Sequence, residues 1–244
     1  MFPKVADKKF EFKRDAEGSL DKRSYAIRKD VQEAVRETKK EYPAVAGFTL
    51  FGSRTKGMER ENSDVDVILF RDVDHMTKLA AKKWTDMNPE LFFKVRLKKL
   101  LTDSLGLEEA ETIIQGTRVY STGLMRSGIE NGLTRIARLN NGELKNDIER
   151  IQARNEWDNF IQAPTGVVSG LFYMEVGTGL KPWRKLVIDT LQQFGPTGEK
   201  LWQEIMQDVK HSHEDHRPMF NKSNRPVQHG VFPMSLREAR KTYL

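Results

Sequence analysis

Two aspartates, Asp64 and Asp66, have the residue type and spacing to do chemistry, because they interrupt the apolar run that continues to residue 70. If this run is a β-strand, its side chains alternate between two faces. Both carboxylates then lie on one side, and Val65 and Val67 on the other. Two like charges so placed repel each other unless a cation lies between them. The spacing therefore predicts a cation-binding carboxylate pair on one face of a strand.

A second strand and a glycine-serine turn precede the aspartates. Residues 48–51 read FTLF and are followed by Gly52 and Ser53, with a polar stretch before the strand at residues 64–70. A structural role alone would not explain the aspartates, since aspartate is a poor strand former. The pattern predicts two neighbouring strands that place the turn close to the carboxylates.

The composition indicates a globular protein suited to polyanionic partners. Of its 244 residues 38% are hydrophobic and 31% are charged, and the formal net charge is +6. No segment of 18 uncharged apolar residues predicts a membrane span, and the charged first 15 residues do not resemble a secretory signal. The sequence contains no cysteine, so disulfides and thiolate metal sites are excluded. These features predict a cytoplasmic protein, and the positive charge favours nucleotides or nucleic acid as partners.

The periodicity of apolar residues divides the chain into a mixed part and a helical part. Residues 22–40 show helical spacing, whereas residues 90–101 (ELFFKVRLKKLL) alternate and are predicted to form a strand. Residues 107–116 are predicted to form a helix with Gly116 as its C-cap, before a short strand at residues 118–121. We therefore predict an α+β fold with a catalytic domain at residues 1–124.

Residues 125–244 are predicted to form a mainly helical domain with an extended segment near its C-terminal end. Apolar stripes, a Pro-to-Gly helix at residues 182–195 and a capping box at Ser235 and Glu238 indicate the helices. Residues 211–233 are rich in proline and polar residues and are predicted to be a loop. Three histidines lie close together at its start and match no established zinc spacing; they are His211, His213 and His216.

The segment GSRTKGMERENSDVDVIL, residues 52–69, resembles the signature of the polymerase β-like nucleotidyltransferase superfamily. It is especially similar to the form found in bacterial minimal nucleotidyltransferases, and the resemblance covers residues 22–121. It implies a mixed sheet flanked by helices. It also implies an enzyme that transfers a nucleoside monophosphate from an NTP to a hydroxyl group and releases pyrophosphate.

The resemblance implies a role for each matching residue. Asp64 and Asp66 are expected to hold two divalent ions, Mg²⁺ or Mn²⁺, that bridge the phosphates. Gly52 would let the backbone approach the triphosphate, and Ser53 would begin a helix N-terminus that favours phosphate. Arg54 and Lys56 could neutralise phosphate charge, although Lys56 could equally be a solvent-exposed loop residue without contact to phosphate. The implied nucleotide-binding residues are Gly52, Ser53, Arg54, Lys56 and Ser63.

The family normally has a third carboxylate on a neighbouring strand, and this sequence departs from that pattern. The predicted strand at residues 90–101 has one acid, Glu90, which we predict to be the third metal ligand or general base. The alternatives are Asp86, Asp103, or a site with weakened catalysis. Basic residues on the same segment could contact phosphates; they are Lys94, Arg96 and Lys98.

The acceptor hydroxyl is not specified by the motif. The positive charge favours an RNA 3′ end such as that of tRNA, and relatives in toxin–antitoxin systems suggest a protein side chain. A small molecule such as an aminoglycoside is a third alternative, with an acidic pocket at Glu143, Asp147 and Glu149. A non-catalytic module that binds nucleotide or nucleic acid is the remaining alternative.

Overall fold

A computed structural model describes residues 22–52, 63–75, 88–163, 166–173, 176–215 and 235–244, and the fold is reported for these residues. They form two compact units. The first contains the described residues between 22 and 121 together with residues 176–178. The second contains those between 122 and 173 and those from 179 onward. No helix among these residues is long and apolar enough to cross a membrane.

Nine helices and four strands are defined within the described ranges. The first six elements in chain order are α1 (Lys22–Glu41), β1 (Val45–Phe51), β2 (Asp66–Asp72), α2 (Pro89–Leu105), α3 (Leu107–Gly116) and β3 (Val119–Leu124). They are followed by α4 (Arg126–Asn140), α5 (Asp147–Ile161), α6 (Val167–Phe172), β4 (Val176–Thr178), α7 (Lys181–Gln192), α8 (Gly195–Asp215) and α9 (Leu236–Tyr243).

The four strands form one sheet in the order β3-β2-β1-β4. Strand β1 is antiparallel to both β2 and β4, and its last residue, Phe51, pairs with Asp66, the first residue of β2. The predicted adjacency of the two strands around the Gly-Ser turn is therefore confirmed. This register brings the end of β1 beside the carboxylates.

The core of the first unit lies between the sheet and helices α1, α2 and α3. Val65, Val67 and Leu69 face it from the β2 side, and all three are buried. Helix α1 contributes the predicted apolar stripe, which includes Ile27 and Val31. Burial of this stripe stabilises a surface helix that has charged residues on its other face.

The strand predicted for residues 90–101 is wrong, because this segment forms helix α2. Asn88 caps it by accepting a hydrogen bond from the backbone N–H of Glu90 at 2.9 Å, and Pro89 occupies its first turn. Phe93 is buried, whereas Leu91 and Val95 are 62% and 61% exposed. The buried residues of α2 recur every four positions, as expected for one face of a helix. The sequence seemed to alternate only because exposed apolar residues lie between the buried ones.

The second unit is built from helices, and its aromatic side chains form the centre. Phe172, Trp202 and Tyr243 pack edge to face, with ring centroids 4.9–6.3 Å apart. The predicted capping box at Ser235 is present. The predicted stripe fails in α5, where Ile148 and Ile151 are exposed. Residues 211–215 continue α8 rather than beginning a loop, and residues 216–234 lie outside the described ranges.

The predicted α+β class is confirmed, with a mixed α/β part followed by a mainly helical part.

Candidate active site

Asp64 and Asp66 lie where the chain enters β2, next to the end of β1. Val65 and Val67 between and after them are 4% and 0% exposed, whereas both aspartates are partly exposed. The alternation predicted from the sequence is therefore confirmed. The buried valines fix the backbone in the core, so the two carboxylates share the opposite side of the chain.

Gly52 directly follows β1 and touches the carboxylate of Asp66. It has a φ of +89°, which disfavours any other residue. A Cβ at this position would also overlap Oδ2 of Asp66 and lie 3.3 Å from its Cγ. Glycine is thus required here for backbone conformation and for space beside the aspartate. Ser63 is described and partly buried, whereas the predicted phosphate-binding residues Ser53, Arg54 and Lys56 lie outside the described residues.

A second glycine, Gly116, lies directly against the side chain of Asp64 and leaves no space for a side chain of its own. A Cβ on Gly116 would lie 2.8 Å from the Cβ of Asp64 and 3.0 Å from its Oδ2. The sequence suggested only a helix cap at this position, but Gly116 is the last residue of α3 and Thr117 is the cap. Only the packing of α3 against β2 reveals that this glycine makes room for an acidic side chain.

Thr117 fastens the backbone between the two aspartates. The N–H of Val65 donates to Thr117 Oγ1 at 3.3 Å, and that hydroxyl donates to the carbonyl of Ile113 at 2.8 Å. The N–H of Val67 donates to the carbonyl of Arg118 at 2.9 Å. Because Thr117 is buried, these bonds are protected from water and hold the aspartates in register with the segment 116–118.

Burial and one nearby guanidinium have opposite effects on the charge of Asp66. Burial raises the pKa of Asp66 to about 6, with a further contribution from the neighbouring charge of Asp64, while Arg118 opposes the rise. The pKa of Arg118 is raised by its hydrogen bond to Tyr120 and then by the charges of Asp66 and Asp64. Among the described residues, the site thus combines two carboxylates with the guanidinium of Arg118, which the sequence analysis did not identify.

Glu90 was predicted to be the third carboxylate because it was placed on a strand, but it lies on a helix. Glu90 lies in the first turn of α2, and the strands that neighbour β2 are β1 and β3. Arg118, the residue before β3, interacts electrostatically with both aspartates and is hydrogen-bonded to Tyr120 of β3. Within the described ranges, no three acidic or histidine side chains are grouped to hold a metal ion. Asp103 is exposed on α2, and Asp86 lies outside the described residues.

Two of the basic residues predicted to contact phosphate are paired with acids on neighbouring helices. Arg96 binds Glu37 of α1, with one contact at 2.6 Å, and Lys98 lies 2.9 Å from Glu111 of α3. They connect helices of the first unit, so the structure gives them a structural contact that the strand interpretation did not foresee.

Asp64 and Asp66 nevertheless fit a divalent cation. Carboxylate oxygens are the donors that Mg²⁺ and Mn²⁺ prefer, and two carboxylates on one side of a strand provide them. Burial and the neighbouring charge of Asp64 raise the pKa of Asp66, so a nearby cation would favour its ionised form. The glycines beside them leave the space for this arrangement.

The acidic residues considered for a small-molecule pocket lie in the second unit. Glu143 is 3.4 Å from Arg138, and Asp147 is 3.3 Å from Arg150. Glu149 contributes to an open cavity of about 420 Å³ that arginines also line. The charges there are mixed rather than acidic, so this region does not provide the acidic pocket that a polycationic acceptor needs.

Comparison with known proteins agrees with the geometry of the first unit. Residues 33–123 match the family model described as polymerase beta, nucleotidyltransferase. No curated protein and no solved structure matches the chain. The matched residues include both aspartates, Gly52, Gly116 and Arg118. This segment therefore belongs to the polymerase β-like nucleotidyltransferase superfamily.

Proposed function

We propose that the protein transfers a nucleoside monophosphate from an NTP to a hydroxyl acceptor in a metal-dependent reaction. The acceptor oxygen attacks the α-phosphorus, and the bond between the α-phosphorus and the bridging oxygen breaks. Pyrophosphate leaves with the electron pair of that bond, and the hydroxyl proton passes to solvent water. The acceptor gains one nucleotide linked through a new phosphodiester or phosphoester bond.

One observation carries this proposal, which is the carboxylate pair of Asp64 and Asp66 beside the glycine turn at the end of β1. Asp66 pairs with the last residue of β1, and Gly52 leaves no side chain between the turn and the carboxylate. A triphosphate lying over Gly52 would therefore meet no side chain of this residue on its way to the aspartates.

Asp64 and Asp66 would hold Mg²⁺ or Mn²⁺, which neutralises charge that develops on the phosphates during transfer. Thr117 and the buried valines would keep the two carboxylates in place, so little reorganisation is needed when the substrate binds. Since no third acid is grouped with them among the described residues, we assign no protein side chain as the base.

For the acceptor we propose an RNA 3′ end, as the positive charge of the chain suggested. A net charge of +6 attracts polyanions and speeds their association. In the second unit, two of the three acids considered for a cationic small molecule, Glu143 and Asp147, pair with arginines. The protein acceptor remains the competing outcome of the experiment.

The test is a transfer assay with each of the four labelled NTPs and three acceptors: an oligoribonucleotide, a protein mixture and an aminoglycoside. Pyrophosphate release and label transfer are measured with Mg²⁺ or with EDTA. We expect Asp66→Asn to abolish transfer, whereas Asp158→Asn, a change at an exposed position on α5, keeps it. Equal transfer by wild type and Asp66→Asn would refute the proposed site.

A further inference from the structure

Arg118 lies on the side of the aspartates opposite to the glycine turn. Strand β2 stands between β1 and β3 in the sheet. Gly52, at the end of β1, touches Asp66 from one side, while the carbonyl of Arg118 accepts a hydrogen bond from Val67 on the other. Gly52 therefore lies on the β1 side of the carboxylates, and the backbone of Arg118 lies on the β3 side.

The side chain of Arg118 is available for a ligand. It is exposed, and a hydrogen bond to Tyr120 orients its guanidinium. A guanidinium has five N–H donors, so the bond to Tyr120 leaves donors for a second group. Its planar fork matches the oxygens of a phosphate, and the bonds are charge-assisted.

The direction of the transfer reaction assigns the two sides. In an in-line displacement, the attacking oxygen and the leaving pyrophosphate lie on opposite sides of the transferred phosphorus. If the triphosphate lies over Gly52, its pyrophosphate is on the β1 side and the acceptor approaches from the β3 side. The acceptor then meets Arg118, where a carboxylate would repel an anionic substrate.

We infer that Arg118 binds a phosphate of the acceptor strand next to the attacking hydroxyl, so that the acceptor is the 3′ end of an RNA. This inference rests on the proposed transfer function. A terminal nucleotide carries its phosphate close to its 3′ hydroxyl, whereas a protein or sugar hydroxyl has no such anion. Tyr120 positions the guanidinium for this contact.

The experiment measures donor and acceptor binding separately. Binding of a fluorescent oligoribonucleotide with a 3′-deoxy end is followed by anisotropy at several salt concentrations, and NTP binding is followed by calorimetry. Arg118→Gln should weaken oligonucleotide binding about tenfold or more and reduce its salt slope by roughly one. NTP affinity should stay within about twofold, since the arginine lies on the acceptor side. Arg118→Lys keeps the positive charge but lacks the planar guanidinium, so its affinity for the oligonucleotide should lie between those of wild type and Arg118→Gln.

The matched control is Arg36→Gln, which removes another exposed arginine from the same unit. Arg36 lies on α1, where it pairs with Glu33. Arg36→Gln removes one positive charge, the same change in net charge as Arg118→Gln. The control should change oligonucleotide binding less than about twofold. If both variants weaken binding equally, the effect is one of net charge and the assignment of Arg118 is overturned.

The remaining outcomes separate this inference from the proposed function. If Arg118→Gln weakens NTP binding but not oligonucleotide binding, Arg118 belongs to the donor site and the inference fails. If wild type labels a protein and not RNA, the transfer function stands and the RNA acceptor is refuted. If wild type binds no NTP and releases no pyrophosphate with any acceptor, the proposed function fails, and the inference fails with it.

Discussion

The charge at Asp66 should make the protein less stable as the pH rises, and Asp66→Asn should remove this effect. In the folded protein the pKa of Asp66 is about 6, compared with an ordinary value of 3.8. The folded state therefore binds this proton more tightly than the unfolded state. The contribution of Asp66 to stability is most favourable below about pH 4 and is lost as the pH rises through 6.

The size of the effect follows from the shift in pKa. A rise from 3.8 to about 6 corresponds to about 3 kcal/mol if none of it is screened. Part of the carboxyl group faces solvent, so we expect about 1–2 kcal/mol. For a chain of this length that is a change of about 2–8 °C in the melting temperature. Asparagine has nearly the same shape, so it should fit beside Gly52 without a new clash.

The assay is thermal unfolding in EDTA between pH 4.5 and 8. Asp66→Asn should melt above wild type at pH 7.5, and the difference should shrink towards pH 4.5. Adding Mg²⁺ at pH 7.5 should raise the melting temperature of wild type more than that of the variant, because a ligand stabilises the state it binds. Asp158→Asn should follow wild type throughout. A variant that is less stable than wild type at pH 7.5, or a difference that does not depend on pH, would refute the electrostatic reasoning.

Three further predictions concern the surroundings of the aspartates. Gly116→Ala should lower the free energy of unfolding by about 1–3 kcal/mol and impair transfer, because the new Cβ would lie 2.8 Å from the Cβ of Asp64. Urea unfolding measures the stability and the pyrophosphate assay measures the transfer. Wild-type values in both assays would contradict this prediction. Thr117→Val should lower the free energy of unfolding by about 1–3 kcal/mol because a buried N–H loses its acceptor, whereas the exposed Thr112→Val should change it by less than about 0.5 kcal/mol. Glu90→Gln should lower turnover by less than about tenfold, since Glu90 lies on a helix and the strands that neighbour β2 are β1 and β3; a fall of about 100-fold, typical of a lost general base, would restore it as the third catalytic acid.

Several properties of the site followed from local sequence alone. Period-two alternation placed Asp64 and Asp66 on one side and the valines on the other, because that geometry belongs to any strand. The glycine after an apolar strand indicated a turn, and Gly52 there has a positive φ that glycine adopts readily. Helix α1 and the capping box at Ser235 likewise depend on neighbours a few residues away.

The prediction for residues 90–101 failed where two periodicities competed. Leu91, Phe93, Val95 and Leu97 alternate, but in the structure only Phe93 and Leu97 of these are buried, four residues apart. The capping sequence of Asn88 and Pro89 was the local signal for a helix. A short apolar segment satisfies both patterns, and packing against α1 and α3 selects one of them.

What the sequence by itself determined is the placement of the two aspartates on one side of a strand, the glycine turn beside them and the α+β class, since these depend on residue type and short spacing. What only the tertiary structure decided is the set of partners, because β3 lies about 50 residues after β2 in the chain and its place in the sheet is a long-range choice. That pairing put Gly116 against Asp64, Thr117 on the backbone of Val65, and Arg118 within electrostatic reach of both aspartates. No local pattern specifies which strand will neighbour the aspartates, because strand pairing depends on burying apolar surface between segments far apart in sequence.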